Sequence, residues 1–163
     1  MKKLLFIVLT SLYSSSIYAI QCHVPNEQEE YEEIIEICNE EAEQGLVDAQ
    51  YNLAVLYDKS DKGDEYKKKA AYWYQKAAEQ GDVDAQFNLA LMYDEGEGVE
   101  KDKKKAIYWY QKAADQNDPD ALNNLGAMYY YGEGVEEDRA LADKYFKQAC
   151  DLGTKEGCEN YSK

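Results

Sequence analysis

The chain has 163 residues, and its 33 acidic against 18 basic side chains give a formal charge of −15. Such a surface repels nucleic acid and anionic lipid, whose capture relies on Lys and Arg at phosphate, and Arg139 is the only arginine. Beyond the N-terminal stretch nothing is apolar for the roughly 20 residues a membrane helix needs, so a membrane span is not expected.

Residues 1–19 read as a signal peptide. Lys2 and Lys3 precede the apolar run Leu4 to Leu9, and a small-residue stretch ends at Ala19, where cleavage is expected. The destination is then the periplasm or the exterior. Cys22 does not read as a lipid-bearing cysteine, because Gln21 stands where a small residue would precede it. Losing Lys2 and Lys3 leaves 16 basic against 33 acidic side chains, a charge of −17. A cationic protein is the natural electrostatic complement, although simple solubility explains the charge equally well. Residues 20–29 form an expected flexible leader. It holds His23, the single histidine, so a zinc site lacks its usual ligands.

From residue 30 the pattern is helical. "YEEIIEICNEEAEQG" places Ile34, Ile37, Cys38 and Ala42 on one face, a cap helix over 30–44. Shifting the chain by 36 then lays Ala49 on Ala85, Ala121 and Gly157, and blocks 49–84 and 85–120 agree at 21 of 36 positions. Self-similarity at this period marks a solenoid of helical hairpins, none of which buries its apolar face alone. The expected units are 48–83, 84–119 and 120–155, followed by a C-terminal stub at 156–163. The fold class is all-α: an α-solenoid of antiparallel helix pairs, about three 36-residue repeats between N- and C-terminal half-repeats.

Within each unit the first helix carries Ala49, Leu53, Ala54 and Tyr57, or Ala85, Leu89, Ala90 and Tyr93, or Ala121, Leu125, Gly126 and Tyr129. The second carries Ala70, Trp73, Tyr74, Ala77 and Ala78, echoed from Ala106 and from Ala142. Gly45, Gly81, Asn117 and Gly153 share one position just past a helix end, where a left-handed residue closes the turn. Asp48, Asp84 and Asp120 are the expected N-caps. The mid-hairpin link reads "GEGV" at 96–99 and 132–135, but "SDKG" at 60–63, so the first link should be looser or differently shaped.

Four cysteines in an exported chain read as disulfides, and four permit three pairings. Cys22 with Cys38 and Cys150 with Cys158 is preferred, since each pair is close in sequence and sits at one end of the stack.

The phrase A-x-x-W-Y-x-K-A-A-x-Q-G-D-x-x-A-Q-x-x-L-A-x-M-Y-x-x-G-x-G-V over 70–99, with its echo from 106 to 135, resembles the Sel1-like repeat, a relative of the tetratricopeptide repeat. The likeness covers about 30–163. "KQACDLGTKEGCENY", 147–161, looks like the cysteine-bridged version in exported bacterial cysteine-rich repeat proteins; the interior units lack those cysteines, having Ala78 and Gln86, or Ala114 and Leu122, there. The resemblance implies a right-handed superhelix with first helices lining the concave side and a role in holding other proteins. It also implies a concave surface of Tyr51, Asn52, Val55 and Asp58, then Phe87, Asn88, Leu91 and Asp94, then Asn123, Asn124, Ala127 and Tyr130. Asn52, Asn88 and Asn124 would form a column of amides able to grip a peptide backbone or to bond within the solenoid. Phe87 and Leu91 lie outside the packing register and are either exposed anchors or covered by the next unit.

Some cysteine-rich relatives are described as weak β-lactamases, but no nucleophile motif is present. After residue 19 the only hydroxyls besides tyrosine are Ser60, Thr154 and Ser162, and the Lys that Ser60 needs three residues on is Gly63. "DKSDKGDEYKKK" at 58–69 glances at a calcium loop, with Lys62 and Lys69 opposing the required charge. The expected function is an exported, non-catalytic scaffold that binds a protein or peptide and needs no cofactor. The alternatives are an immunity protein neutralising an antibacterial toxin and a β-lactamase-like or cell-wall-binding protein. The sequence sets no oligomeric state.

Overall fold

The repeat folds into helices alone among the described residues. The computed structural model describes residues 22–24 and 31–161; the expected signal peptide at 1–19, the rest of the leader and Ser162 lie outside them. Eight helices follow in order: α1 Tyr31–Glu43, α2 Val47–Asp58, α3 Asp64–Glu79, α4 Val83–Glu95, α5 Lys103–Ala114, α6 Pro119–Tyr131, α7 Arg139–Asp151 and α8 Lys155–Tyr161. Each packs on the next, and α6 also touches α8. Contacts confined to neighbouring units define an α-solenoid, as the sequence predicts. None of the described helices is long and apolar enough to cross a membrane.

Packing follows the two stripes. Leu53, Leu89 and Leu125 of the first helices are fully buried, as are Ala70, Ala77, Ala106, Ala113, Ala142 and Ala149 of the second. The alanines let helix axes approach, and Tyr74, Tyr110 and Phe146 fill the space alongside. The third unit refines this. A Cβ on Gly126, where the earlier units have Ala54 and Ala90, would lie 2.5 Å from the Phe146 ring.

Helix ends follow local chemistry. Gly45, Gly81, Asn117 and Gly153 all take positive φ, between 65° and 98°. The next residue's N–H returns to the helix, as from Asp82 to Ala77 O at 3.1 Å and from Asp118 to Ala113 O at 3.1 Å, satisfying carbonyls otherwise left open. The expected N-caps are two residues too late. Asp82 and Asp118 adopt the extended cap conformation, and each accepts from the amide three residues on, Ala85 or Ala121, at 2.7 Å. Asp48, Asp84 and Asp120 instead stand in the first turn of their helices, facing the positive end of the dipole. At α2 the cap position is Leu46, without a side-chain bond.

The first link does differ. It spans 59–63, against 96–102 and 132–138, because α3 begins about one turn earlier in the period than α5 and α7. In the longer links the second glycine meets the preceding unit. A Cβ on Gly98, at φ 65°, would lie 2.3 Å from the Lys67 carbonyl oxygen, so only glycine fits there.

Both ends are stapled, Cys22 to Cys38 and Cys150 to Cys158. The flexible-leader expectation therefore fails for residues 22–24. Cys22 is buried, its N–H donates to Glu41 Oε2 at 3.3 Å, its carbonyl accepts from Asn52 Nδ2 at 3.0 Å, and Val24 packs on the core.

Candidate functional site

The first helices α2, α4, α6 and α8 carry the residues expected on the concave side, and the structure sorts them into three groups. Asparagine recurs at one register position as Asn52, Asn88, Asn124 and Asn160. The period points to Asn160 as the fourth member, a position the reading of 156–163 as a stub passed over. These amides are directed to neighbouring layers. Asn52 holds the Cys22 carbonyl, Asn160 Nδ2 donates to Asn123 Oδ1 at 3.0 Å, Asn88 lies beside the Tyr51 hydroxyl, and Asn124 lies beside the buried Tyr110 hydroxyl without a well-formed hydrogen bond. Burial pushes the Tyr51, Tyr74 and Tyr110 hydroxyls up from their ordinary pKa, which keeps them neutral. Asn52 and Asn160 thus spend their amides on the solenoid itself.

Asp58 and Asp94, expected as surface contacts, are committed to ion pairs that sequence reasoning missed. Lys67 Nζ sits 2.8 Å from Asp58 and 2.8 Å from Glu97 of the next unit; Lys103 meets Asp94 and Glu133 in the same way. Burial alone would lower these lysines' pKa, but the paired carboxylates outweigh it and raise both. The equivalent of Asp58 and Asp94 in the third unit is Tyr130, whose ring lies 4.7 Å beneath the Arg139 guanidinium and 5.0 Å from Tyr131. The 36-residue spacing of Lys67, Lys103 and Arg139 was the available signal.

The apolar candidates divide as well. Val55 is buried at 8% exposure, against the expectation of a surface contact. One turn before it Asn52 holds the leader, whose Val24 packs on the same cluster as Val55. Tyr51, Phe87, Leu91 and Ala127 are half-buried. Phe87 is partly structural: its ring lies 5.8 Å from Tyr110, as Tyr51 lies 6.0 Å from Tyr74. Leu91 packs on the core cluster with its inner side and keeps part of its surface open. It lines a recess of about 120 Å³ between α2 and α4 with Asp58, Asn88, Met92, Glu95 and Glu97. Three carboxylates surround this recess and Lys67 is the ammonium paired there, so its local field is negative.

The hydroxyls weighed as nucleophiles have structural engagements. Ser60 Oγ accepts from Lys62 N at 3.3 Å in an exposed link, and Thr154 Oγ1 donates to Ala149 O at 2.7 Å at the α7–α8 junction.

Comparison with known proteins follows the same lines. The Sel1 repeat model matches residues 47–82, 83–118 and 119–154. Similar solved structures include a Sel1 repeat protein from Oxalobacter formigenes, 32% identical over 80% of this chain and 54% of that one, with a TM-score of 0.75. A protective antigen present in uropathogenic Escherichia coli strains, displaying an SLR fold, is 38% identical over 76% of this chain and 26% of that one, with a TM-score of 0.71. The cysteine rich protein B of Helicobacter pylori is 28% identical over 80% of this chain and 93% of that one, with a TM-score of 0.62. The chain spans only 54% and 26% of the length of the first two. No curated protein matches it.

Proposed function

The chain belongs to the Sel1 repeat family, and on that premise we propose that it is an exported, non-catalytic scaffold holding a protein or peptide partner on its first-helix face, with basic segments preferred. The observation that carries this reading is the recess between α2 and α4, where half-buried Leu91 is flanked by Glu95 and by the Asp58 and Glu97 carboxylates that share Lys67. An apolar floor with an acidic rim suits a partner side chain with a methylene stem and a cationic tip, and a charge of −15 speeds its encounter. Export is supported by the two disulfides, which persist in oxidising compartments, together with the Lys2, Lys3 and apolar pattern at the N-terminus. The commitment of Ser60 and Thr154 to local hydrogen bonds supports a non-catalytic role.

The test compares affinity capture from the native envelope by the unaltered protein and by a Leu91→Lys, Glu95→Lys variant, with melting temperatures measured alongside. A basic partner recovered by the first and lost by an equally stable variant supports the scaffold. Equal recovery by both refutes this site.

A further inference from the structure

In the first two seams between units a pair of glutamines closes the gap beside the turn. Gln50 Nε2 donates to Ala42 O at 3.1 Å while its Oε1 accepts from Gln80 Nε2 at 2.7 Å. One period on, Gln86 Nε2 donates to Ala78 O at 3.1 Å, and Gln116 Nε2 reaches both Gln86 Oε1 at 2.9 Å and Gly81 O at 3.0 Å. Gln50 and Gln86 are buried, so these amides are plugs with a polar duty.

In the third seam the same two positions are Leu122 and Leu152. Leucine donates nothing, so the carbonyls of Ala114 and Asn117, counterparts of Ala78 and Gly81, lose the side-chain amide found in the earlier seam. The plug is also gone. A recess of about 230 Å³ opens there, lined by Ala114, Asn117, Leu122, Gln148, Asp151 and Leu152. Leu122 is buried as its floor and Leu152 is 49% exposed at its edge. The wall from Gln148 to Leu152 is held by the Cys150–Cys158 bridge to α8.

We propose that this recess binds one cationic side chain, arginine or lysine, presented by a partner polypeptide; the proposal stands independently of the α2–α4 reading. The volume is below that of small-molecule sites and suits a single side chain. Leu122 and Leu152 cover a methylene stem, as long basic side chains require. Its tip meets acceptors: α5 ends at Ala114, so its terminal carbonyls carry the negative end of the helix dipole, and Asp151 stands at the rim. Lys147 takes Asp151 Oδ2 at 2.6 Å, and a carboxylate retains further acceptor sites on its other oxygen. A neutral apolar side chain would fill the floor but offer nothing to the second acceptor site of the Ala114 carbonyl, which Asn117 N bonds once at 2.9 Å.

The test is a backbone-amide NMR titration of the full chain with N-acetyl-arginine amide, N-acetyl-lysine amide and, as the uncharged counterpart, N-acetyl-norleucine amide. Shifts confined to 114–122 and 148–152 are expected with the two basic probes, with norleucine weaker by about tenfold. Leu122→Gln with Leu152→Gln rebuilds the plug and is expected to abolish the shifts. Norleucine binding as tightly as arginine, unchanged binding by the plugged variant, or silence with every probe overturns the site. If the plugged variant does not fold, Asp151→Asn, an exposed change, decides: weaker binding of the basic probes supports the site and unchanged binding overturns it.

Discussion

Lys67 Nζ stands 2.8 Å from Glu97 Oε2 of the following unit and 2.8 Å from Asp58 Oδ1 of its own, so one ammonium fastens two units. Lys103 repeats the device one period later with Asp94 and Glu133. These side chains are a quarter to a half exposed, and such pairs contribute at most about 1 kcal/mol each once solvent screens them. Lys67→Met with Lys103→Met should therefore lower the unfolding free energy by about 1 kcal/mol at low salt and by less at high salt. Urea denaturation at two salt concentrations measures it. An identical loss at both would assign the effect to the stems' packing rather than to their charge.

The helices were legible because each inner position recurs: Ala70, Ala106 and Ala142 are one position written three times, and all are fully buried. The caps were not. Asp82 and Asp84 have the same chemistry two residues apart, and only the backbone at Asp82, φ −61° and ψ 122°, distinguishes the cap from the first turn. Site residues were the least legible, since their fate depends on partners far away in sequence. Asp58 looks like a surface acid until Lys67 and Glu97 arrive, and Val55 like a contact until the leader packs across its cluster. The disulfides were readable from sequence proximity together with the placement of each pair at one end of the stack.

The glutamine plugs predict strong coupling. Gln86→Leu alone removes the donor to the Ala78 carbonyl and the acceptor for Gln116, which should cost about 1–3 kcal/mol. Adding Gln116→Leu recreates the leucine pair native to the third seam, so the double variant should cost clearly less than the two single losses summed. A double-mutant cycle from chemical denaturation reads this directly. Additive losses would mean that the two amides act separately.

Gly126→Ala should destabilise, although alanine is the better helix former by about 1 kcal/mol. The added methyl would lie 2.5 Å from the Phe146 ring, and overpacking of this kind costs about 1–3 kcal/mol. A lower melting temperature is expected, with partial recovery when Phe146→Leu is added. Higher stability for Gly126→Ala alone would show that the ring moves aside freely.

The last prediction concerns pH. Burial is the main cause that raises the Asp82 and Asp118 carboxyls above the ordinary 3.8; the bonds from Ala85 and Ala121 oppose it, and neighbouring aspartates add to it. An acid whose native pKa exceeds its unfolded one binds protons more tightly when folded, so its penalty on the fold holds at neutral pH and lifts as pH falls through the raised pKa toward 3.8. Glu133 behaves oppositely. Its bond to Lys103 holds it below the ordinary 4.5, so the stability it lends is complete above 4.5 and is lost as pH falls further. The melting temperature should therefore rise as pH falls from neutral through the raised pKa of the two caps, with the loss of the Glu133 contribution opposing the rise below 4.5. Relief of overall repulsion would also produce the rise, and one variant separates the two causes. Asparagine caps a helix as well as aspartate and does not titrate, so Asp82→Asn with Asp118→Asn should flatten the rise. An equally steep rise in that variant would assign it to the total charge instead of the two caps.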